Sequence, residues 1–408
     1  MDITELAKFR GGISVDTITE LTSASGVTID GVLLKDNAVN TDTINEKTAA
    51  SGVTIDSMLI KDGKTSSNNI DWQEPTMFRN RIINGGFDIW QRGVTFTYTN
   101  SIGPNFNSDR WFSGQVGGGV SDESITNQFT TSLVGIYNLL RVRQYKASGF
   151  TGGVTRLCQI IEAPNTIGLR GQSATLSFYH RLPTGNSFSG SWVAYVRYDT
   201  DDSTINSTAT SSAGAESIGT AAGNLVFRTS GLATTDWTRS TLTVTIPSTA
   251  KRIMVVFTSN TTTNDSYLDL TGVQLEPGTV VTPFEFRPYG TELALCHRYY
   301  YAEKGSTSNT MIGATQTVGL ATEIDFVFSL PVEMRDYPTV GTIGTRGTDW
   351  AIRYATDAVI NTTGTFASIG RNKKNPEFDF GSGTFTAGGR YFFVVLTTTG
   401  ALTASAEL

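Results

Sequence analysis

The chain has 408 residues, 38% of them hydrophobic and only 17% charged, enough apolar side chain for more than one packed core, with Thr, Ser, Asn and Gly supplying much of the polar surface. That mixture favours strands and tight turns over long helices, since β-branched Thr fits a pleated sheet and Gly or Asn supplies left-handed turn conformations. The formal charge of −6 sits in residues 1–75, where 12 acidic side chains face 6 basic ones, whereas residues 76–408 hold 25 of each sign, so no basic domain offers itself to nucleic acid.

No run of about 18 apolar residues is present to insert in a membrane, and Met1-Asp2-Ile3-Thr4-Glu5 lacks the basic stretch and apolar core of a secretory signal. A soluble protein made in a cytoplasm is expected. Cys158 and Cys296 lie far apart and are expected to be buried free thiols rather than a disulfide framework.

In chain order, residues 1–75 come first and contain an internal repeat of 26 residues. Asp16–Asp36 recurs as Asp42–Asp62 with 15 of 21 positions identical. Its Gly-Val-Thr-Ile-Asp run alternates apolar and polar residues, placing Val27 with Ile29, and Val53 with Ile55, on one face of a strand. One such unit cannot bury that face alone. Several identical chains turning these faces toward a shared axis would form a stem, with a flexible tether as the alternative.

Residues 76–289 carry strand patterns at Leu140–Tyr145, Ala174–Leu182, Trp192–Tyr198, Thr241–Ile246 and Arg252–Thr258, closing with Tyr267–Gly278. Short alternating strands between Gly, Ser, Asn and Asp turns predict a two-sheet sandwich, with Trp90 and Trp111 as core anchors. Asp199–Gly223 reads as an exposed Ser/Thr-rich loop. Residues 290–408 begin with a short helix over Thr291–Arg298 and continue as a β-rich domain, with buried strands at Phe326–Pro331 and Arg390–Leu396.

Residues for catalysis are sparse. His180 and His297 are the two histidines, and neither lies near a nucleophile elbow. Gly63-Lys64-Thr65 has Met58 where a phosphate loop needs Gly. Asp199-Thr200-Asp201-Asp202 lacks the Gly and closing Glu of a calcium loop and reads as a solvated turn. The better site is for sugar, which is recognised by flat aromatic faces and by Arg donors. The outward phases of two strands place Tyr179 with Arg181, and Tyr195 with Arg197; were these strands neighbours, the four would form one glycan-binding patch.

Asn84-Gly85-Gly86-Phe87-Asp88, Asp109-Arg110-Trp111, Gly272–Gly278, Pro283–Tyr300 and Leu330–Pro338 together resemble the sandwich, linker and terminal domain of tailed-bacteriophage tail fibres and minor virion proteins, and the N-terminal repeats resemble their stems. The sandwich also resembles carbohydrate-binding modules of the jelly-roll type. The resemblance implies a non-enzymatic, homotrimeric short fibre in the virion tail, attached to other virion proteins through residues 1–75 and binding host-surface glycan. Capsid decoration, or a purely structural tail role, is the alternative, and a glycan depolymerase a lesser one. Such modules often hold a structural calcium with an opening Asn-Gly-x-Phe-Glu and a closing Asp pair. Here Asp88 replaces the Glu and Thr271-Gly272 the pair, leaving Asp88 and Asp269 as a weak calcium pair at most. No other cofactor is implied.

Overall fold

The computed structural model describes residues 53–55, 58–61, 64–66, 78–99, 105–116, 123–131, 133, 135–145, 154–183, 192–200, 225–228, 234–259, 266–305, 310–316, 323–354, 359–360, 365–368, 372–381, 385–386 and 388–407. The chain divides into two compact units, Met1–Gln73 and Glu74–Leu408.

In the first unit, β1 (Val53–Ile55), β2 (Met58–Lys61) and β3 (Lys64–Ser66) form an antiparallel sheet in the order β1-β2-β3. The Val-Thr-Ile of the second repeat copy is thus a strand, with Val53 opposite Ile60. The first copy, including Val27 and Ile29, lies outside the described residues.

The second unit opens with the strands β4 (Thr95–Thr99), β5 (Asn105–Phe106), β6 (Phe112–Val116), β7 (Glu123–Thr130), β8 (Asn138–Tyr145) and β9 (Val154–Ile161). A short helix α1 (Ala163–Thr166) precedes β10 (Ser173–Arg181), β11 (Trp192–Asp199), β12 (Leu225–Arg228), β13 (Thr238–Thr245), β14 (Arg252–Ser259) and β15 (Ser266–Pro277). They pair as two six-stranded sheets, β13-β10-β15-β8-β7-β4 and β12-β11-β14-β9-β6-β5, a β-sandwich of the jelly-roll kind in which the chain crosses repeatedly from one sheet to the other. Alternation dictates the inner faces: Ala174, Leu176 and Phe178 of β10 meet Trp192, Ala194 and Val196 of β11 in one core with Trp111, Phe87 and Phe257. Phe178 meets Phe257 edge-on at 4.9 Å. Trp90 and Trp111 are both buried, as expected. Asp199–Gly223 contributes Asp199 to β11, and residues 201–224 lie outside the described residues.

The opening turn before β4 is unusual, because Asn84 and Phe87 have φ of 57° and 56°, and Arg110, in the turn between β5 and β6 that packs on it, has φ of 71°. Asn tolerates the left-handed region and Phe does not, so tertiary bonds hold the turn. Asn84 Nδ2 donates to the Ile89 and Asp109 carbonyls at 2.9 and 3.1 Å, and Trp111 Nε1 donates to the Asn84 carbonyl at 3.1 Å. Gly85 lies so close to β15 that a Cβ there would sit 2.1 Å from the Val273 oxygen.

Helix α2 (Tyr289–His297) follows, and then β16 (Tyr300–Lys304), β17 (Thr310–Gln316), β18 (Glu323–Val327), β19 (Thr339–Ile343), β20 (Trp350–Tyr354), β21 (Val359–Ile360), β22 (Thr365–Ser368), β23 (Glu377–Gly381), β24 (Arg390–Val395) and β25 (Ala401–Ser405). These form the sheets β16-β25-β19, β17-β24-β20-β21 and β18-β23-β22 around a second core that includes Phe326, Trp350, Phe378 and Phe393. Cys296 and Tyr299 pack on Ile83 and Ile89 of the opening turn. The C-terminal Glu407 pairs with Arg92 at 3.0 Å and with Arg110, whose guanidinium lies 3.4 Å from the Tyr299 ring centroid. Cys158 and Cys296 are buried and unbridged, and burial pushes the Cys158 thiol up to about 12.

Candidate functional site: the outer face of the first sheet

The four sugar-binding residues expected from sequence do not form one patch. β10 pairs with β13 and β15, whereas β11 pairs with β12 and β14 in the opposite sheet. The chain crosses the sandwich between β10 and β11, so Tyr179 with Arg181 and Tyr195 with Arg197 face away from each other. Tyr195 and Arg197 are 7% and 3% exposed. Tyr195 packs with Phe112, Cys158 and Met254, and the Arg197 guanidinium lies 5.5 Å from its ring. Tyr179 and Arg181 are half-buried, on the outer face as expected.

Neighbouring strands complete that half of the patch. Asp269 of β15 lies directly opposite Arg181 and, on its other side, Arg141 of β8. Arg141 Nε donates to Asp269 Oδ1 at 2.6 Å and Nη2 to Oδ2 at 2.9 Å, and Arg181 Nε donates to Oδ2 at 3.0 Å. The carboxylate is fully buried beneath the two guanidinia, and its hydrogen bonds hold Arg141 more firmly protonated than an ordinary arginine. A fork-to-carboxylate pair fixes orientation as well as charge. The Arg181 guanidinium lies 4.8 Å from the Trp237 ring, and Arg141 lies 4.5 Å from Phe129. The result is a line across the sheet: Trp237, Arg181, Asp269, Arg141, Phe129.

Beside this line, Arg239 sits opposite Tyr179, its guanidinium 5.5 Å from the ring, and Arg143 lies 5.0 Å from Tyr267. Tyr179 has room because β15 bulges there. Its register against β10 slips between Ser177 and Tyr179, and Gly272 takes φ of 58°, where a Cβ would meet the Tyr179 ring at 3.0 Å. Such a bulge re-aims the side chains around it. Among the described residues, the terminal nitrogens of Arg181 make no hydrogen bond, and Trp237 Nε1 has no partner. Half-exposed rings beside guanidinia with donors to spare can cover sugar C–H faces and bind hydroxyl or carboxylate oxygens. Sequence reading missed Trp237, Arg239, Arg141, Arg143, Tyr267 and Phe129. The signal was the odd-numbered phase of their strands, which acquires meaning only with the pairing.

Asp88 and Asp269, the weak calcium pair weighed from sequence, each serve another partner. Asp269 spends both oxygens on arginines, and exposed Asp88 accepts from Asn138 Nδ2 at 2.7 Å. Calcium needs several oxygens turned toward one point. At the opening turn they turn toward Arg287, which donates to the Asn80 and Ile82 carbonyls and to Glu292 at 2.8 Å, with Glu285 3.8 Å away. Among the described residues, no group of three or more His, Cys, Asp or Glu side chains is placed to hold a metal. The Arg287 segment lines a cleft with Asp88, Phe286 and Tyr289, whose two aromatics are exposed. The histidines are neutral in character, since burial pushes His180 and His297 down to about 4. His180 faces inward and shares a 2.9 Å hydrogen bond with Ser240.

No protein-family model matches the chain, and no curated protein matches it. Among solved structures, the enzymatically active domain of bacteriophage CBA120 tailspike protein 4 is similar at 14% identity and TM-score 0.29, over 49% of this chain and 22% of that one. A carbohydrate-binding module of the CBM4 type is similar at 16% identity and TM-score 0.25, over 48% of this chain and 98% of the module. The tandem CBM22 domains of Paenibacillus barcinonensis Xyn10C are similar at 10% identity and TM-score 0.26, over 78% and 98%. The likeness is partial and distant, and the chemistry of the outer face is what bears on function.

Proposed function

We propose that this chain is a non-enzymatic structural protein of a tailed-bacteriophage particle, a short homotrimeric tail fibre that binds host-surface glycan through the outer face of its first sandwich sheet. The observation that carries the reading is the line of Trp237, Arg181, Asp269, Arg141 and Phe129, in which a buried carboxylate fixes two guanidinia between aromatic rings. The fibre part of the reading is supported by the sequence resemblance and by the 26-residue repeat, whose apolar faces call for a symmetric partner. Residues 1–75 attach the fibre to other virion proteins. Weak single sites suffice, because linked copies gain roughly 10²–10⁴ in avidity.

Adsorption competition tests the proposal. The full-length chain, expected at about three times its 44.0 kDa by light scattering, should bind bacteria that the parent phage infects and slow that phage's attachment. Tyr179→Ala and Arg181→Ala should each weaken both effects about tenfold or more, the equivalent of about 1.4 kcal/mol. A folded chain that neither binds nor competes would favour capsid decoration or a purely structural tail role.

A further inference from the structure

The outer face gathers arginine side chains, although the chain as a whole carries −6. Arg141, Arg143, Arg181 and Arg239 point outward from β8, β10 and β13. The loop before β13 adds exposed Asp236 beside Trp237; the outward acids on the strands themselves are Asp269 and Glu276. Both carboxylates are withdrawn, at 0% and 1% exposure. Asp269 is occupied by Arg141 and Arg181. Glu276 accepts from the Thr282 N–H at 2.9 Å, from Thr282 Oγ1 at 2.6 Å and from Gln274 Nε2 at 2.9 Å. Within the strands an approaching ligand therefore meets guanidinium edges and aromatic rings, and Asp236 is an exposed carboxylate at the rim beside Trp237.

We infer that this face takes an acidic polysaccharide, a chain of sugar rings bearing carboxylates; this rests on the glycan reading above and names the ligand class. The planar guanidinium fork matches a carboxylate better than a hydroxyl. Arg181 spends Nε on Asp269 and holds its two terminal nitrogens outward, so its fork is oriented before the ligand arrives and little side-chain entropy is lost on binding. Trp237 and Phe129, at 4.8 and 4.5 Å from the two guanidinia, supply flat surfaces for the sugar rings that carry the charge. Single-stranded nucleic acid would meet the same stacking groups and guanidinia, and a control oligonucleotide separates it from the polysaccharide.

The test is binding of the full-length chain to immobilised polygalacturonate, alginate, hyaluronate and polysialic acid, each beside its carboxyl-reduced counterpart, with a single-stranded oligonucleotide as charge control. At least one acidic polymer should bind, its reduced counterpart about tenfold more weakly or worse. Raising salt from about 0.05 to about 0.5 M should weaken binding further. Arg181→Gln and Arg143→Gln should each reduce affinity severalfold; Arg143→Gln leaves both arginine partners of Asp269 in place, so its loss of binding would not reflect unfolding of that row. Equal binding of acidic and reduced polymers overturns the inference and leaves the glycan reading standing. Binding of no polymer in either form overturns both, and equal binding of the oligonucleotide reduces the face to a nonspecific cation surface and overturns the inference.

Discussion

A carboxylate with no exposed surface is costly unless its oxygens are matched, and Asp269 is matched by two guanidinia that the same arrangement turns toward solvent. Structure and candidate function are one at that residue. Asp109 solves the same problem less completely. It accepts from the Gln91 N–H at 2.7 Å and from Gln91 Nε2 at 2.8 Å, with Arg92 at 3.6 Å. Burial outweighs Arg92 and the hydrogen bonds and pushes its carboxyl up to about 6. The folded value lies above the ordinary 3.8, so protonation favours the fold. The contribution is full below about pH 3.8 and is lost as pH rises through about 6. His180 and His297 act in the opposite sense, losing stability as pH falls from 6.5 toward 4. Thermal melts of Asp109→Asn across pH 4–6 should show Tm falling more steeply on acidification than in wild type, because the Asp109 contribution that opposes the histidines is gone. An unchanged slope would assign the wild-type behaviour to other groups.

At the level of elements, most of the sandwich was legible and its pairing was not. Ala174–Leu182 alternates cleanly enough to place Phe178 inside and Tyr179 outside, and β10 bears this out. The same rule separates Trp192, Ala194 and Val196 from Tyr195 and Arg197 on β11. Periodicity is a property of one strand, whereas neighbourhood depends on which sheet the next strand joins. The crossover after β10 therefore broke the expected patch while leaving each strand correct. Helix α2 runs from Tyr289 to His297, against the expected Thr291–Arg298. At the opening turn it is Arg287, distant in sequence, that carries the cation gathering the oxygens, while Glu285 and Glu292 accept the backbone N–H groups of Asn80 and Asn84. Arg287→Ala should lower the sandwich's stability by about 3–5 kcal/mol, the usual result of stranding buried charge, whereas a calcium chelator should leave wild-type Tm unchanged. Chelator sensitivity equal to that of the substitution would restore the metal.

At the scale of the whole molecule, the second unit couples its two cores through the C-terminal tail. Central strand β25 pairs with β16 and β19, and Glu407, two residues past it, reaches Arg92 and Arg110 beside the opening turn. The turn that positions β15, and with it Asp269, is thus braced from the far end of the chain. The proposed glycan site is the outer face of the first sheet, and two other surfaces compete with it: the cleft with exposed Phe286 and Tyr289, and the terminal domain with exposed Tyr337. Hydroxyl-radical footprinting of the full-length chain, with and without purified host-surface polysaccharide, separates them in one measurement. Glycan on the outer face should protect Trp237, Tyr179, Tyr267 and Phe129 and leave Tyr289 and Tyr337 unchanged; protection at Phe286 and Tyr289 or at Tyr337, with Trp237 and Tyr179 as reactive as before, would move the site elsewhere.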